Sequence, residues 1–255
     1  MVCQTGEVKE FDHNKLRIDD TKSLRRTFKE AQRIINKNIT DPARCRFITL
    51  TYAENMQNRK KLYNDFGNFW KRKINPIYPN CEYILAVEPQ RRGAWHIHLI
   101  LIFPDKAPFI PNEELAKMWG YGFVSVRALD SVTNVGAYLT AYLTNIPLDE
   151  YENALSIPQS CIADVECLDD DGKLIPKKVV KGARLRLYPR DMHVFRYSKG
   201  IIRPDPYYTT AERAEQLVAD CALCWETTRI ITDTESGYTN TINYRQFNRN
   251  RKETP

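Results

Sequence analysis

The sequence predicts an α+β fold built on an antiparallel sheet, and three observations support this. Short β-branched and aromatic runs alternate with stretches of helical period in the order strand, helix, strand, strand, helix, strand, helix between residues 46 and 143. Two of the strand-like runs, 82–88 and 95–103, are separated by the turn-forming Pro89-Gln90-Arg91-Arg92-Gly93, which pairs them antiparallel as a hairpin. The resulting split β-α-β-β-α-β order is that of ferredoxin-like folds, an antiparallel sheet with helices on one face.

Each element follows from local chemistry. Leu24, Phe28, Ala31 and Ile35 recur at helical spacing from Thr21, giving a basic amphipathic helix that ends before Asp41-Pro42, since proline cannot continue a helix. Residues 46–52 form a strand, and Leu62, Phe66, Phe69 and Lys73 share one side of a helix over 58–74, stopped by Asn75-Pro76. After the hairpin come a short helix over 112–119, a short strand over 123–127 and a helix over 131–143. Beyond Pro147 an acidic, loop-rich insertion carries a hairpin turned at Asp169-Asp170-Asp171-Gly172. A strand-like basic stretch follows at 183–197, then a helix at 210–219 and a closing hairpin of 225–231 with 240–244, turned at Glu235-Ser236-Gly237. The organisation read from this is a basic N-terminal helix (1–40), a core (41–146), the acidic insertion (147–182) and a C-terminal region (183–255) with β elaboration, packed on the core as one domain.

Composition narrows the function classes. A chain of 255 residues is long enough to bury a sizeable core. Its mean hydropathy of −0.53, without any apolar run near the roughly 18 residues a bilayer requires, excludes a membrane span. Met1 to Glu7 has neither a basic start nor an apolar core, so no secretory signal is read and a cytoplasmic location is expected. Seven scattered cysteines with no second C-x-x-C read as reduced structural thiols rather than a zinc knuckle, and without a phosphate loop there is no nucleotide motor. The net charge of +6 is unevenly distributed: residues 21–75 hold fourteen basic and four acidic side chains, residues 177–203 hold nine and one, and residues 147–171 hold eight acidic and no basic ones. Two basic blocks of this kind fit a phosphate-binding surface.

The chemistry-bearing residues stand in two motifs. In Trp95-His96-Ile97-His98-Leu99 the alternation of a strand projects both imidazoles from one face. Across the hairpin Glu88 lies beside His96, completing a two-histidine, one-carboxylate group suited to a divalent metal. In Gly136-Ala137-Tyr138-Leu139-Thr140-Ala141-Tyr142-Leu143 the spacing of four puts Tyr138 and Tyr142 on one helix face, about 6 Å apart along the axis.

The succession Phe47-Ile48-Thr49-Leu50-Thr51-Tyr52, Glu88 with the H-x-H strand, and the tyrosine helix through Asn145 resembles the three motifs of the HUH endonucleases, in particular the rolling-circle replication initiators of bacterial plasmids, phages and integrative elements. The region from Arg184 to Pro204, with Tyr188-Pro189, also looks like the downstream region of Gram-positive replication proteins. The resemblance implies a metal-dependent, sequence-specific endonuclease and strand transferase acting on single-stranded or hairpin-extruded origin DNA, with a host helicase and DNA polymerase as partners. On it, Glu88, His96 and His98 hold Mg²⁺ or Mn²⁺, Tyr138 attacks the scissile phosphate and Tyr142 serves the closing transfer. Arg91, Arg92, Arg184, Arg186, Arg196 and Lys199 are the expected strand-tracking groups. Relatives usually carry a lysine three residues after a tyrosine of this helix, where this chain has Ala141 and Asn145, so Tyr142 as first nucleophile stays open. The alternatives are an HUH transposase or relaxase, which usually carry one tyrosine or three histidines respectively, and a non-catalytic DNA-binding protein of the same fold.

Overall fold

The computed structural model describes residues 21–151, 157–169, 173–189 and 192–249. The side chain of Leu24 and most of the turn at 169–172 lie outside the described residues. The chain divides into two compact units, Met1–Arg203 and Pro204–Pro255, a boundary inside the stretch read as one C-terminal region.

In chain order the first unit runs α1 (Thr21–Asn38), β1 (Cys45–Thr51), α2 (Arg59–Phe69), β2 (Glu82–Pro89), β3 (Trp95–Ile102), α3 (Asn112–Trp119), β4 (Val124–Ala128), α4 (Val135–Thr144), β5 (Ile146–Pro147), β6 (Ile162–Leu168), β7 (Leu174–Val180) and β8 (Phe195–Tyr197). Its main sheet has five strands in the order β4-β1-β3-β2-β8, every neighbouring pair antiparallel. The first four stand in ferredoxin-like order, with β8 added beside β2. β3 is central, paired on both edges, and its residues 97–101 are buried.

Period-two alternation divides the sheet into two faces. On one, Ile48, Leu50, Leu85, Val87, Ile97 and Leu99 are at most 1% exposed. The helices α2 and α3 cover this face: Phe66 meets Tyr83 edge-on at 5.0 Å, and Trp119 meets Tyr52 and Phe69 at 5.2 and 5.5 Å. Burying each such aliphatic side chain contributes about 1.5–3 kcal/mol, so this face is the main source of stability. On the other face α4 lies over β1, with Tyr138 edge-on to Phe47 at 5.5 Å. The helix α1 packs on α4 at Gly136, whose amide donates to Asn36 Oδ1 at 3.0 Å. A Cβ at residue 136 would stand 2.6 Å from that oxygen and 2.8 Å from the Gln32 carbonyl, so only glycine permits this approach.

Several boundaries differ from the sequence reading. The helix expected over 131–143 starts at Val135, because Asn134 caps it by accepting from Ala137 N at 2.9 Å. The helix expected over 58–74 is α-helical to Phe69 and ends in a wider π turn over Trp70–Ile74. The insertion read as loop-rich contains a three-stranded sheet, order β5-β7-β6. Asp164 and Glu166, whose charge suggested a loop, occupy the exposed positions of β6, while Val165 and Cys167 alternate to its inner side. The basic stretch 183–197 is not one strand. It begins as a 3-10 turn over Ala183–Leu187 after left-handed Gly182, and only Phe195–Tyr197 is extended. The apolar and basic alternation at 183–188 imitates a strand, but Arg184 and Tyr188 are both drawn inward to backbone carbonyls, which bends the segment.

The second unit contains α5 (Ala211–Val218) and an antiparallel hairpin of β9 (Ala222–Thr232) and β10 (Thr239–Asn248). No helix among the described residues is long and apolar enough to cross a membrane. The described cysteines are free thiols, and burial pushes Cys45 and Cys81 each up to about 12, well away from reactivity.

Candidate active site

Strand register assembles the site. β2 and β3 pair Glu88 with His96 and Ala86 with His98, and β1 sets Thr49 opposite His98 and Thr51 opposite His96, so all these side chains share the face covered by α4. One ligand atom each from Glu88, His96 and His98 lies within 4.8 Å of the others. His98 Nε2 contacts Glu88 Oε2, and its Nδ1 lies 3.3 Å from Thr49 Oγ1, a partner able to fix the ring's orientation.

The electrostatics suit a cation. Burial pushes the His96 imidazole down to about 4, although Glu88 beside it pulls the other way, and the ring is therefore neutral at pH 7 as a ligand must be. Burial alone would raise the Glu88 carboxyl, but His98 and Arg184 outweigh it and hold the group below the usual carboxylate range. His96 Nε2 is buried with no hydrogen-bond partner among the described residues, a loss of about 1–3 kcal/mol that a coordinated ion would offset. The three residues can hold a metal ion, and their two nitrogens and one oxygen do not select among divalent ions.

The group opens into a cavity of about 760 Å³ walled by β2, β3, α4 and the insertion strands β6 and β7. Tyr142 lines this cavity and Tyr138 does not. The two hydroxyls are 2.9 Å apart, the Tyr142 ring stands 5.6 Å from His98, and Tyr138 is 5% exposed beneath. Burial raises both phenols above their ordinary range; the Tyr138–Tyr142 hydrogen bond partly offsets this at Tyr138 and adds to it at Tyr142, while Arg127 draws both down.

The cations read from the sequence separate into three groups. Arg91 and Arg92 are exposed and line the cavity. Arg184, expected on a strand-tracking surface, is instead 7% exposed, with Nη1 2.5 Å from Glu88 Oε1. Arg186, Arg196 and Lys199 are not brought to the cavity. Arg186 is exposed against Tyr151, and Arg196, opposite Leu85 in the register, stacks 3.5 Å over Tyr63 of α2 on the far face of the sheet. Lys199 is exposed beyond β8.

Sequence reasoning missed Arg127 and Cys167. Arg127 stands opposite Phe47 in the β1–β4 register, hence on the tyrosine face, and donates to Leu168 O at 2.9 Å. Alternation along β4 was a usable signal for it. Cys167 of β6 hydrogen-bonds with Tyr142, and no local pattern announces that contact.

A sheet that carries a buried metal-binding group under a helix with two phenols defines a nuclease-like arrangement. Residues 45–146, from β1 to the end of the tyrosine helix, match a family of replication-associated proteins, the ORF2 type, which supports a replication initiator and an association with DNA. No curated protein and no solved structure matches the chain.

Proposed function

We propose that this protein is an HUH-type, sequence-specific single-stranded DNA endonuclease and strand transferase that nicks a replication origin through a 5′-phosphotyrosyl intermediate and thereby initiates rolling-circle replication in the cytoplasm. The observation that carries the reading is the metal-binding group of Glu88, His96 and His98 opening into the same cavity as the Tyr142 phenol, within the stretch that matches a replication-associated family. Mg²⁺ or Mn²⁺ held by these three residues supplies Lewis-acid polarisation of a non-bridging phosphate oxygen.

The remaining work falls to the chain's own groups. Arg91 and Arg92 at the cavity wall bind the phosphates of a single strand, since a duplex does not fit the enclosed floor. The Tyr142 oxygen attacks phosphorus, the P–O3′ bond breaks, and the departing 3′ oxygen takes a proton, leaving a 3′-hydroxyl that a host polymerase extends while a host helicase opens the duplex. No water or nucleotide is consumed, so the step reverses as a ligation. Tyr142 leads on this reading because it lines the cavity, and Tyr138, bonded to it at 2.9 Å, is the second phenol for the closing transfer. This reverses the order taken from the motif alone. Arg127, whose charge opposes burial at both phenols, stands in for the absent helix lysine in favouring phenolate.

Incubation with single-stranded origin DNA and Mn²⁺, followed by mass spectrometry of the tryptic peptides, tests the proposal. A nucleotide adduct on Tyr142 is expected; DNA binding with no adduct on either tyrosine would leave a non-catalytic DNA-binding protein.

A further inference from the structure

We propose that Arg184, which lies outside the matched stretch 45–146, is the positioning residue of the metal-binding carboxylate and ties it to the end of the tyrosine helix; this rests on the reading that Glu88, His96 and His98 hold a divalent ion. Glu88 has two oxygens with different partners. Oε1 faces Arg184 Nη1 at 2.5 Å, and Oε2 faces His98 Nε2. The terminal torsion of a glutamate is broad, so a carboxylate anchored by neither oxygen samples many orientations. Pinning Oε1 to a guanidinium leaves Oε2 presented to the histidines.

The guanidinium is itself immobilised. Its Nη1 also donates to Pro89 O at 3.1 Å, and its Nε donates to Asn145 O at 3.0 Å. Asn145 is the C-terminal cap of α4, and its side-chain oxygen accepts from Gly182 N at 3.1 Å. Four residues on, the buried Tyr188 hydroxyl lies 3.1 Å from Val87 O and 3.0 Å from Leu143 O, spanning the same two elements. Residues 182–188 thus bolt the end of β2, which carries Glu88, to the end of α4, which carries the phenols.

Stability alone does not account for this arrangement. A buried ion pair is often no more stabilising than apolar residues of the same volume, so its value here is geometric. Partners that orient a ligating group typically contribute ten- to a hundredfold in metal affinity. Lysine at residue 184 keeps the charge but loses the planar fork that reaches Glu88, Pro89 and Asn145 together.

The test is Mn²⁺ titration of the full chain, read as loss of the free-ion signal by electron paramagnetic resonance, with thermal melting alongside. Arg184→Met should weaken Mn²⁺ binding by about ten- to a hundredfold with a cooperative melt retained, and Arg184→Lys should fall between it and wild type. Unchanged or tighter binding by Arg184→Met overturns the proposal, because a purely structural or purely repulsive arginine predicts those results. If Arg184→Met does not fold, Arg184→Lys decides, and wild-type affinity in that variant is equally fatal. Wild-type protein that takes up no Mn²⁺ removes the metal reading itself and this inference with it, whereas Mn²⁺ binding that ignores residue 184 removes this inference alone.

Discussion

On one face of the five-stranded sheet, Ile48, Leu50, Leu85, Val87, Ile97 and Leu99 are sealed beneath α2 and α3; on the other, the neighbouring residues Thr49, Glu88, His96 and His98 stand beneath α4 and beside a cavity. The strands are the same and only the parity differs. The aliphatic face gains free energy for each residue it buries, while the second face buries Glu88, His98 and Arg184, which would cost several kcal/mol if unpaired. Each of those three is held by a named partner. Stability made on one side therefore supports polar burial on the other, and substitutions on the two sides should fail in different ways.

The largest contrast should come from the tyrosines. Replacing Tyr138 and Tyr142 together by Phe deletes both attacking atoms while keeping the rings packed, so covalent adduct should vanish with the melting temperature nearly unchanged; adduct surviving in that variant refutes the helix as nucleophile. Among the single changes, Tyr142→Phe should lose the first nick and Tyr138→Phe should retain it, and the opposite pattern on a denaturing gel would exchange their roles.

Next in size, His96→Ala or His98→Ala should abolish cleavage while DNA binding persists, as should addition of a chelator to the wild type. Full cleavage by either variant ends the metal reading. On the aliphatic face, Leu99→Ala should cost about 2–5 kcal/mol in denaturant unfolding. Activity per folded molecule should stay close to wild type, and a selective loss of activity would show that the two faces are not separable.

A smaller effect is expected where α1 meets α4. Gly136→Ala forces a Cβ against Asn36 and Gln32 and should destabilise by about 1–3 kcal/mol; a neutral result in calorimetry would mean the helices separate at no cost. Smallest of all, Arg91→Ala or Arg92→Ala should each reduce the salt dependence of single-strand binding by about 0.7 in log-log slope. An identical slope would place these two residues outside the strand path.

Much of this was legible without coordinates, and the reasons are local. Alternation within residues 95–99 determines that His96 and His98 share a face, and the short turn at 89–93 determines that Glu88 stands opposite His96, because a hairpin's register follows from its turn. Helical period likewise puts Tyr138 above Tyr142, and the order of strands and helices implies the sheet order of its first four members. Where local patterning misled, a distant partner overrode it: the alternation at 183–188 looked extended until carbonyls of β2 and α4 drew Arg184 and Tyr188 inward.

Tertiary structure alone decided which charges belong to the site. Arg184, Arg186 and Arg196 look equivalent in sequence, yet one is buried on Glu88, one is exposed against Tyr151 and one stacks on the far face of the sheet. It alone also set Tyr142 rather than Tyr138 at the cavity and brought Arg127 and Cys167 to the phenols. Periodicity depends on neighbours one to four residues apart, so the sequence determines which side chains share a face. What each face meets depends on segments tens of residues away, and only packing brings those together.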